Sequence, residues 1–177
     1  MITEEQEKEW IDKGFDVSTL KHRKLLLEKV EKYLPFNTLL DIGCASGPDV
    51  VLYEMAFPNA DIHAFDSTEG DIEIAKKLVK RTKFETKDLR EYLKEIPSLS
   101  YDIVVSNGVM MYYEAHRVAD LLRIAKNAVI MSERDPYNSV NILEYLKGIR
   151  HEPIVTKIDA QVRPSWAENG YIYEIKL

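Results

Sequence analysis

The sequence of 177 residues predicts an α/β protein: a doubly wound, mostly parallel sheet of seven strands with an antiparallel C-terminal hairpin, preceded by N-terminal helices. Three observations lead there. Short apolar runs alternate with amphipathic stretches from Leu39 to Lys147, the pattern of a parallel sheet with right-handed crossovers. The first run, Thr38-Leu39-Leu40-Asp41-Ile42, breaks into Gly43-Cys44-Ala45-Ser46-Gly47 and resumes as a helical pattern at Pro48. The alternation then stops: Ile154 to Ile158 and Tyr171 to Leu177 follow one another with no helix between them, which predicts an antiparallel pair.

The elements follow in order. Thr3 and Gln6 form a capping box that opens a helix running to about Lys13, and Gly14 stops it. Ser18 is placed to cap a second helix, with Leu20, Leu27, Val30 and Leu34 near one face and Pro35 at its end. Residues 1–35 fit two roles, a lid over the crevice or a cover for one edge of the sheet. Trp10, His22 and Arg23 are the residues to watch there, with His22 read as a solvated helix residue.

Leu39 to Ile42 is the first strand. Pro48 suits the first turn of the next helix because its missing N–H would be unpaired there anyway. That helix runs to about Ala56, with Val51, Leu52 and Met55 facing inward. Asp61 to Asp66 is the second strand, and Ser67 or Thr68 caps a helix striped by Ile72, Ala75, Leu78 and Val79. Lys83 to Thr86 reads as a short third strand, followed by a helix near Arg90 to Glu95. Tyr101 to Asn107 is the fourth strand, Glu114 to Lys126 a helix, and Ala128 to Ser132 the fifth strand, which leaves Glu133 to Pro136 in a loop. Asn138 to Lys147 is the last helix, and Pro164 to Gly170 is the turn of the terminal hairpin.

Composition narrows the class. Apolar residues make up 45% and charged residues 31%, as in a soluble globular protein of one domain spanning 1–177. The net charge is −6 with no basic run to track phosphates, so nucleic acid is not an expected partner. Cys44 is the single cysteine, which excludes an internal disulfide and points to a reducing compartment, the cytoplasm. No apolar run reaches membrane-spanning length, and the acidic N-terminus is unlike a signal peptide. No metal is expected. Oligomeric state is not written in the sequence.

Ligands in such sheets sit at the carboxyl ends of the strands. Those ends carry Asp41, Gly43, Asp66, Asp88 and Asn107, three carboxylates and an amide converging on one crevice. A dinucleotide fingerprint would read Gly-x-Gly-x-x-Gly, but those positions hold Gly43, Ala45 and Pro48. A carboxylate at 41, two residues before the first glycine, suits a ligand with a positive end better than a diphosphate. Asp66 is spaced to take two ribose hydroxyls, and Asp88 to accept from an exocyclic amine. Leu89 is placed to wedge a flat base, while the backbone from Gly43 to Gly47 faces the ligand's tail. Cys44 reads as a small turn residue rather than a nucleophile.

With those residues in view, the sequence resembles the class I S-adenosylmethionine-dependent methyltransferases, over roughly residues 36–177. The matching pieces are Leu40-Asp41-Ile42-Gly43-Cys44-Ala45-Ser46-Gly47, Ala64-Phe65-Asp66-Ser67, Lys87-Asp88-Leu89, and Tyr101 through Val109. The Trp166 to Leu177 hairpin is similar to the family's last strands. The resemblance implies a Rossmann-like fold and S-adenosylmethionine as cofactor. It implies that Asp41 and the loop of Gly43, Ala45 and Gly47 hold the methionine moiety. Asp66, followed by Ser67, would take the ribose, Asp88 and Leu89 the adenine, and Asn107 with Gly108 would line the crevice near the sulfonium.

Two departures bear on function. Ala45 stands where the family has its middle glycine; a methyl group is tolerated there if the backbone needs no positive φ. Met110, Met111 and Tyr112 stand where many small-molecule members carry a histidine, and the fourth strand lacks the Asn/Asp-Pro-Pro-aromatic run of base-amino methylation. Methyl transfer is an in-line displacement that needs a base only if the acceptor must lose a proton, so no catalytic residue is assigned. Tyr112, Tyr113, Glu114, Glu133 and Asp135 fall in loops on the acceptor side, with the tyrosines read as pocket walls and Glu133 and Asp135 as solvated acids. A small-molecule acceptor ranks ahead of a protein. Two alternatives stand beside this reading: a methyltransferase-like binding or activator module without turnover, and a nicotinamide-dependent oxidoreductase.

Overall fold

The structure is a computed structural model that describes residues 2–134, 139–158 and 170–177. Helix α1 (Glu4–Asp12) begins at the expected capping box: the Thr3 hydroxyl accepts from the Gln6 N–H at 3.2 Å, and the Gln6 side chain accepts from the Thr3 N–H at 2.8 Å. Helix α2 (Leu20–Glu31) starts later than its sequence suggests. Asp16, not Ser18, does the capping. Its carboxylate accepts from the Ser18 N–H at 2.9 Å and the Ser18 hydroxyl at 2.8 Å, holding a 3-10 turn over Val17–Thr19 ahead of the helix. Leu20, Leu27 and Val30 are buried as expected, whereas Leu34 lies beyond the helix and is exposed.

From there strands and helices alternate: β1 (Thr38–Ile42), α3 (Pro48–Ala56), β2 (Asp61–Asp66), α4 (Glu69–Leu78), β3 (Lys83–Thr86), α5 (Leu89–Glu95), β4 (Tyr101–Asn107), α6 (Val118–Ile124), β5 (Ala125–Arg134), α7 (Ser139–Gly148), β6 (Ile154–Ile158) and β7 (Gly170–Lys176). The seven strands form one sheet in the order β3-β2-β1-β4-β5-β7-β6. The first five are parallel, and β7 runs antiparallel to both β5 and β6. This is the predicted doubly wound architecture. The order reverses between β1 and β4, so the crevice opens above the carboxyl ends of those two strands.

Both faces of the sheet are covered, which is why β1 and β4 read as near-continuous apolar runs. Trp10, Leu26, Val50 and Ile72 from α1 to α4 pack on one face. Leu93, Leu121 and Ile142 from α5 to α7 pack on the other. Each such side chain contributes about 1.5–3 kcal/mol by leaving water. At the amino end of the sheet, Asp102 holds three strands in register. Its carboxylate accepts from the Asn37 and Thr38 N–H groups at 2.7 and 3.0 Å, and from Lys126 Nζ at 3.2 Å.

Two boundaries differ from expectation. The helix expected over 114–126 is a 3-10 turn, Ala115–Arg117, followed by the shorter α6. Residues from Ala125 onward are drawn into β5, where Ala125 pairs with Tyr101 and Lys126 reaches Asp102. Strand β5 also runs further, through Glu133 and Arg134, because β7 pairs with it along its whole outer edge. Residues 135–138 and the hairpin turn at 164–169 lie outside the described residues.

Candidate cofactor site

The glycine turn is built by hydrogen bonds from the second strand. Gly43 and Cys44 N–H groups both donate to the Phe65 carbonyl, at 2.9 and 3.0 Å, which folds the chain sharply after β1. Gly43 has φ +67°, and a Cβ placed there would lie 2.3 Å from Val109 Cγ2. Gly47, at φ +86°, is the residue before α3, and a Cβ there would meet Ala75 at 3.0 Å. Ala45 also has a positive φ, +47°. The condition under which its methyl would be free of cost is therefore not met, and the turn carries the left-handed strain that a glycine would avoid.

Asp66 fixes this turn from the end of β2. One carboxylate oxygen accepts from the Ala45 N–H at 3.0 Å and the other from the Thr68 N–H at 2.9 Å. Each oxygen keeps a further lone-pair direction for a ligand hydroxyl. Thr68 precedes α4 without a side-chain cap, and its N–H is held by Asp66 instead.

Gly43, Ala45, Asp66, Ser67, Leu89 and Asn107 line one cavity of about 490 Å³ at the carboxyl ends of the strands. Lys87, Gly108, Val109, Tyr112 and Tyr113 also line it, and Leu89 and Phe65 form an apolar wall. Three of the expected residues do not line it. Gly47 lies behind the turn, at the start of α3. Asp88 caps α5, accepting from the Arg90 N–H at 2.8 Å. Asp41 is buried beneath the turn at 1% exposure, and its Oδ2 has no hydrogen-bond partner among the described residues.

The environment of Asp41 disfavours its charged form. Burial pushes its pKa well above the ordinary carboxylate range, and repulsion from Asp49 and Asp66 pushes it further, with Arg23 pulling the other way. Asp49, in the first turn of α3, is also buried. Burial raises its pKa too, but the ion pair and hydrogen bond from Arg23 and the hydrogen bond from Asn107 outweigh it and hold Asp49 below its ordinary value. Asn107 Nδ2 donates to Asp49 Oδ2 at 2.8 Å, and Arg23 bonds the same oxygen. A buried Cys44 thiol sits nearby with its pKa pushed up by burial first and by Asp41 and Asp66 next, which makes it inert.

This is a cavity with an apolar wall, a carboxylate at the end of β2, and a second, buried carboxylate under the turn whose pKa is raised. Residues 37–147, more than half of the chain, match the family model described as a methyltransferase domain. The chain belongs to this methyltransferase family. Among curated proteins, trans-aconitate 2-methyltransferase of Pseudomonas paraeruginosa (strain DSM 24068 / PA7) is 29% identical over 91 residues, covering 51% of this chain. The match spans 32% of that relative's length. Among solved structures, the magnesium protoporphyrin IX methyltransferase of Synechocystis PCC 6803, described with bound SAM, superposes with a TM-score of 0.66 at 17% identity over 89% of this chain and 80% of its own. A SAM-dependent methyltransferase of Aquifex aeolicus gives 0.66 at 15% identity over 91% and 93%. At these identities the likeness is one of fold.

Several residues of this methyltransferase-family chain were misplaced or missed by sequence reasoning. His22 is not solvated: it is fully buried, with Nε2 2.7 Å from the Ser132 hydroxyl on β5. Its partner lies 110 positions away, where no local pattern reveals it. Glu133 is not a loop acid but a buried residue of β5, accepting from the Met110 N–H at 3.0 Å. Together with the Gly108 N–H bonded to the Ser132 carbonyl at 2.7 Å, it ties the loop after β4 to β5. Tyr113 walls the cavity, with the Arg90 guanidinium 4.8 Å from its ring centre, while Tyr112 is exposed at the mouth and Glu114 pairs loosely with Arg90 and Arg117. Asp49 gave no signal beyond an acid in a helix first turn. Asp135 lies outside the described residues.

Proposed function

We propose that the cavity binds S-adenosylmethionine and that the protein transfers its methyl group to an acceptor, a small molecule in preference to a protein. The observation that carries this is the buried Asp41 carboxylate beneath the glycine turn, two residues before Gly43 of the cavity wall, whose Oδ2 has no hydrogen-bond partner among the described residues. An ammonium-bearing tail held at that turn favours its ionised form. Asp66, with lone pairs to spare, suits the ribose hydroxyls, and Ser67 stands beside it. Leu89 and Phe65 suit the flat face of an adenine, with Asp88 next in the chain. Gly43 and Ala45 let the tail approach the backbone, and Asn107 closes that end of the cavity.

When bound, the cofactor supplies a methyl group already activated for displacement. What the chain adds is position and dryness: the Val109 to Tyr113 loop walls the cavity, and Glu133 and Ser132 hold that loop from β5. The preference for a small-molecule acceptor draws on the relatives, whose names specify trans-aconitate and magnesium protoporphyrin IX. Residues 1–35 fit the role of a cover, since Trp10 and His22 are fully buried against the core. A cytoplasmic setting fits the free Cys44, and no helix among the described residues is long and apolar enough to cross a membrane.

Calorimetry with S-adenosylmethionine and S-adenosylhomocysteine tests the reading. One site of micromolar affinity that weakens more than about tenfold in Asp66→Ala supports it, since two hydroxyls lose a charged acceptor. Absence of binding at millimolar ligand, or tighter binding of nicotinamide dinucleotide, rejects it.

A further inference from the structure

The N-terminal segment grips the first turn of α3 at two successive residues. Trp10 Nε1 donates to the Pro48 carbonyl at 2.8 Å, and Arg23 on α2 pairs with the Asp49 carboxylate. Arg23 is itself braced: its Nε donates to the Thr19 hydroxyl at 3.0 Å, one turn earlier on the same segment. Asp49 Oδ2 is shared. It takes the Arg23 guanidinium from one side and the Asn107 amide from the other, at 2.8 Å. Asn107 lines the cavity, while Arg23 and Asp49 do not.

We infer that Arg23 is a positioning residue which acts through Asp49 on Asn107, so that seating of α2 and filling of the cavity are one linked equilibrium. This rests on the cofactor reading above. The Asn107 amide is a two-sided group whose rotamer decides whether its oxygen or its nitrogen meets the ligand. With Asp49 ionised and held in place, the Asn107 nitrogen is committed to the carboxylate, and the amide presents a fixed edge to the cavity. Without Arg23, Asp49 is a buried charge lacking its main partner, and it is driven either to protonate or to turn toward water. In both cases Asn107 loses the acceptor that Asp49 provides. By reciprocity, a ligand that prefers the ordered Asn107 strengthens the Arg23–Asp49 pair and with it the docking of α2.

The test is a double-mutant cycle read by calorimetry with S-adenosylhomocysteine. Arg23→Met alone risks unfolding because it strands Asp49, so the working variant is Arg23→Met with Asp49→Leu, which removes both charges together. It is expected to fold and to bind about tenfold more weakly, the loss associated with one hydrogen-bonded anchor. Arg23→Lys is expected to recover part of that loss. In an Asn107→Ala background the same pair of substitutions is expected to change affinity less than about twofold, because the route through Asn107 is already cut. Equal losses in both backgrounds, or a folded Arg23→Met variant that keeps Asp49 and binds as tightly as the parent, show a merely structural role for Arg23 and overturn the inference. So does undiminished affinity of the Arg23→Met, Asp49→Leu variant. If the unmodified protein fails to bind S-adenosylhomocysteine, the cofactor reading fails first and takes this inference with it, an outcome separable from either of the others.

Discussion

Asp41 and Asp49 are buried carboxylates that flank the glycine turn, and Arg23 is hydrogen-bonded to Asp49 alone of the two. The pair therefore splits: Asp49 is held ionised below its ordinary value, and Asp41 is pushed above. Such division of neighbouring acids by their environments is how a site keeps one charge fixed and another responsive.

Asp41→Asn tests that division. Because the folded protein holds the Asp41 proton more tightly than the unfolded chain does, stability falls as pH rises from the ordinary value of 3.8 through the raised folded value, and the loss is complete above it. The isosteric amide removes the penalty, so the variant is expected to be more stable than its parent at alkaline pH by about 1–3 kcal/mol, with the difference shrinking toward acid. Its affinity for S-adenosylhomocysteine is expected to fall. In the parent, binding an ammonium beside Asp41 releases a proton and tightens as pH rises toward the raised folded value. Urea titrations at several pH values, paired with calorimetry in buffers of different ionisation enthalpy, read both effects.

Gly43→Ala and Ala45→Gly have opposite expected signs although both concern left-handed residues of one turn. At 43 a methyl meets Val109 at 2.3 Å as well as the positive φ, so a loss of about 2–4 kcal/mol is expected, along with blocked ligand binding. At 45 the methyl is exposed, and glycine relieves about 1–2 kcal/mol of strain against about 0.4–1 kcal/mol of added unfolded-state freedom. Ala45→Gly is expected to leave stability equal or slightly raised, as thermal melts of the two variants would show.

The sheet was legible because both of its faces are buried, so β1 and β4 announce themselves as apolar runs. Of the acids and amide read at the strand ends, Asp66 and Asn107 line the cavity, whereas Asp41 lies beneath the turn. What stayed hidden depends on partners far along the chain. His22 is buried with Ser132 of β5 as a hydrogen-bond partner, and Glu133 looks like a loop residue until its bond from the Met110 N–H is seen. Asp49 reads as an ordinary first-turn acid; its importance comes from Arg23 and Asn107, 26 and 58 positions away. The shortening of the helix before β5 was hidden for the same reason, since Lys126 is claimed by Asp102 from another strand.

Trp10→Phe is expected to cost about 1–2 kcal/mol, since the Pro48 carbonyl loses the indole N–H while most of the apolar packing against Phe15 and the core survives. Trp10→Ala is expected to cost about 3–5 kcal/mol by opening a cavity. Hydrogen exchange distinguishes local from global loss. If α1 is anchored chiefly through Trp10, its amides exchange faster in Trp10→Phe while those of β1 and β4 keep their protection.

Asp102 contributes to the acid limb of stability. Burial raises its pKa, but hydrogen bonds from the Asn37 N–H, Lys126 and the Thr38 N–H outweigh burial and hold it below its ordinary value of 3.8. A depressed folded pKa means that the unfolded chain binds the proton more readily, so this contribution is fully present above the unfolded value and is lost as pH falls through the folded one. Asp102→Asn keeps the shape but removes the charge, and one of its amide hydrogens faces the Asn37 and Thr38 donors or Lys126. It is expected to lower stability near neutral pH by about 1–3 kcal/mol, and the gap from the parent should close as both are titrated well below 3.8. A gap that stays constant across that range would place the stabilisation in packing at the amino end of β4 rather than in the carboxylate's charge.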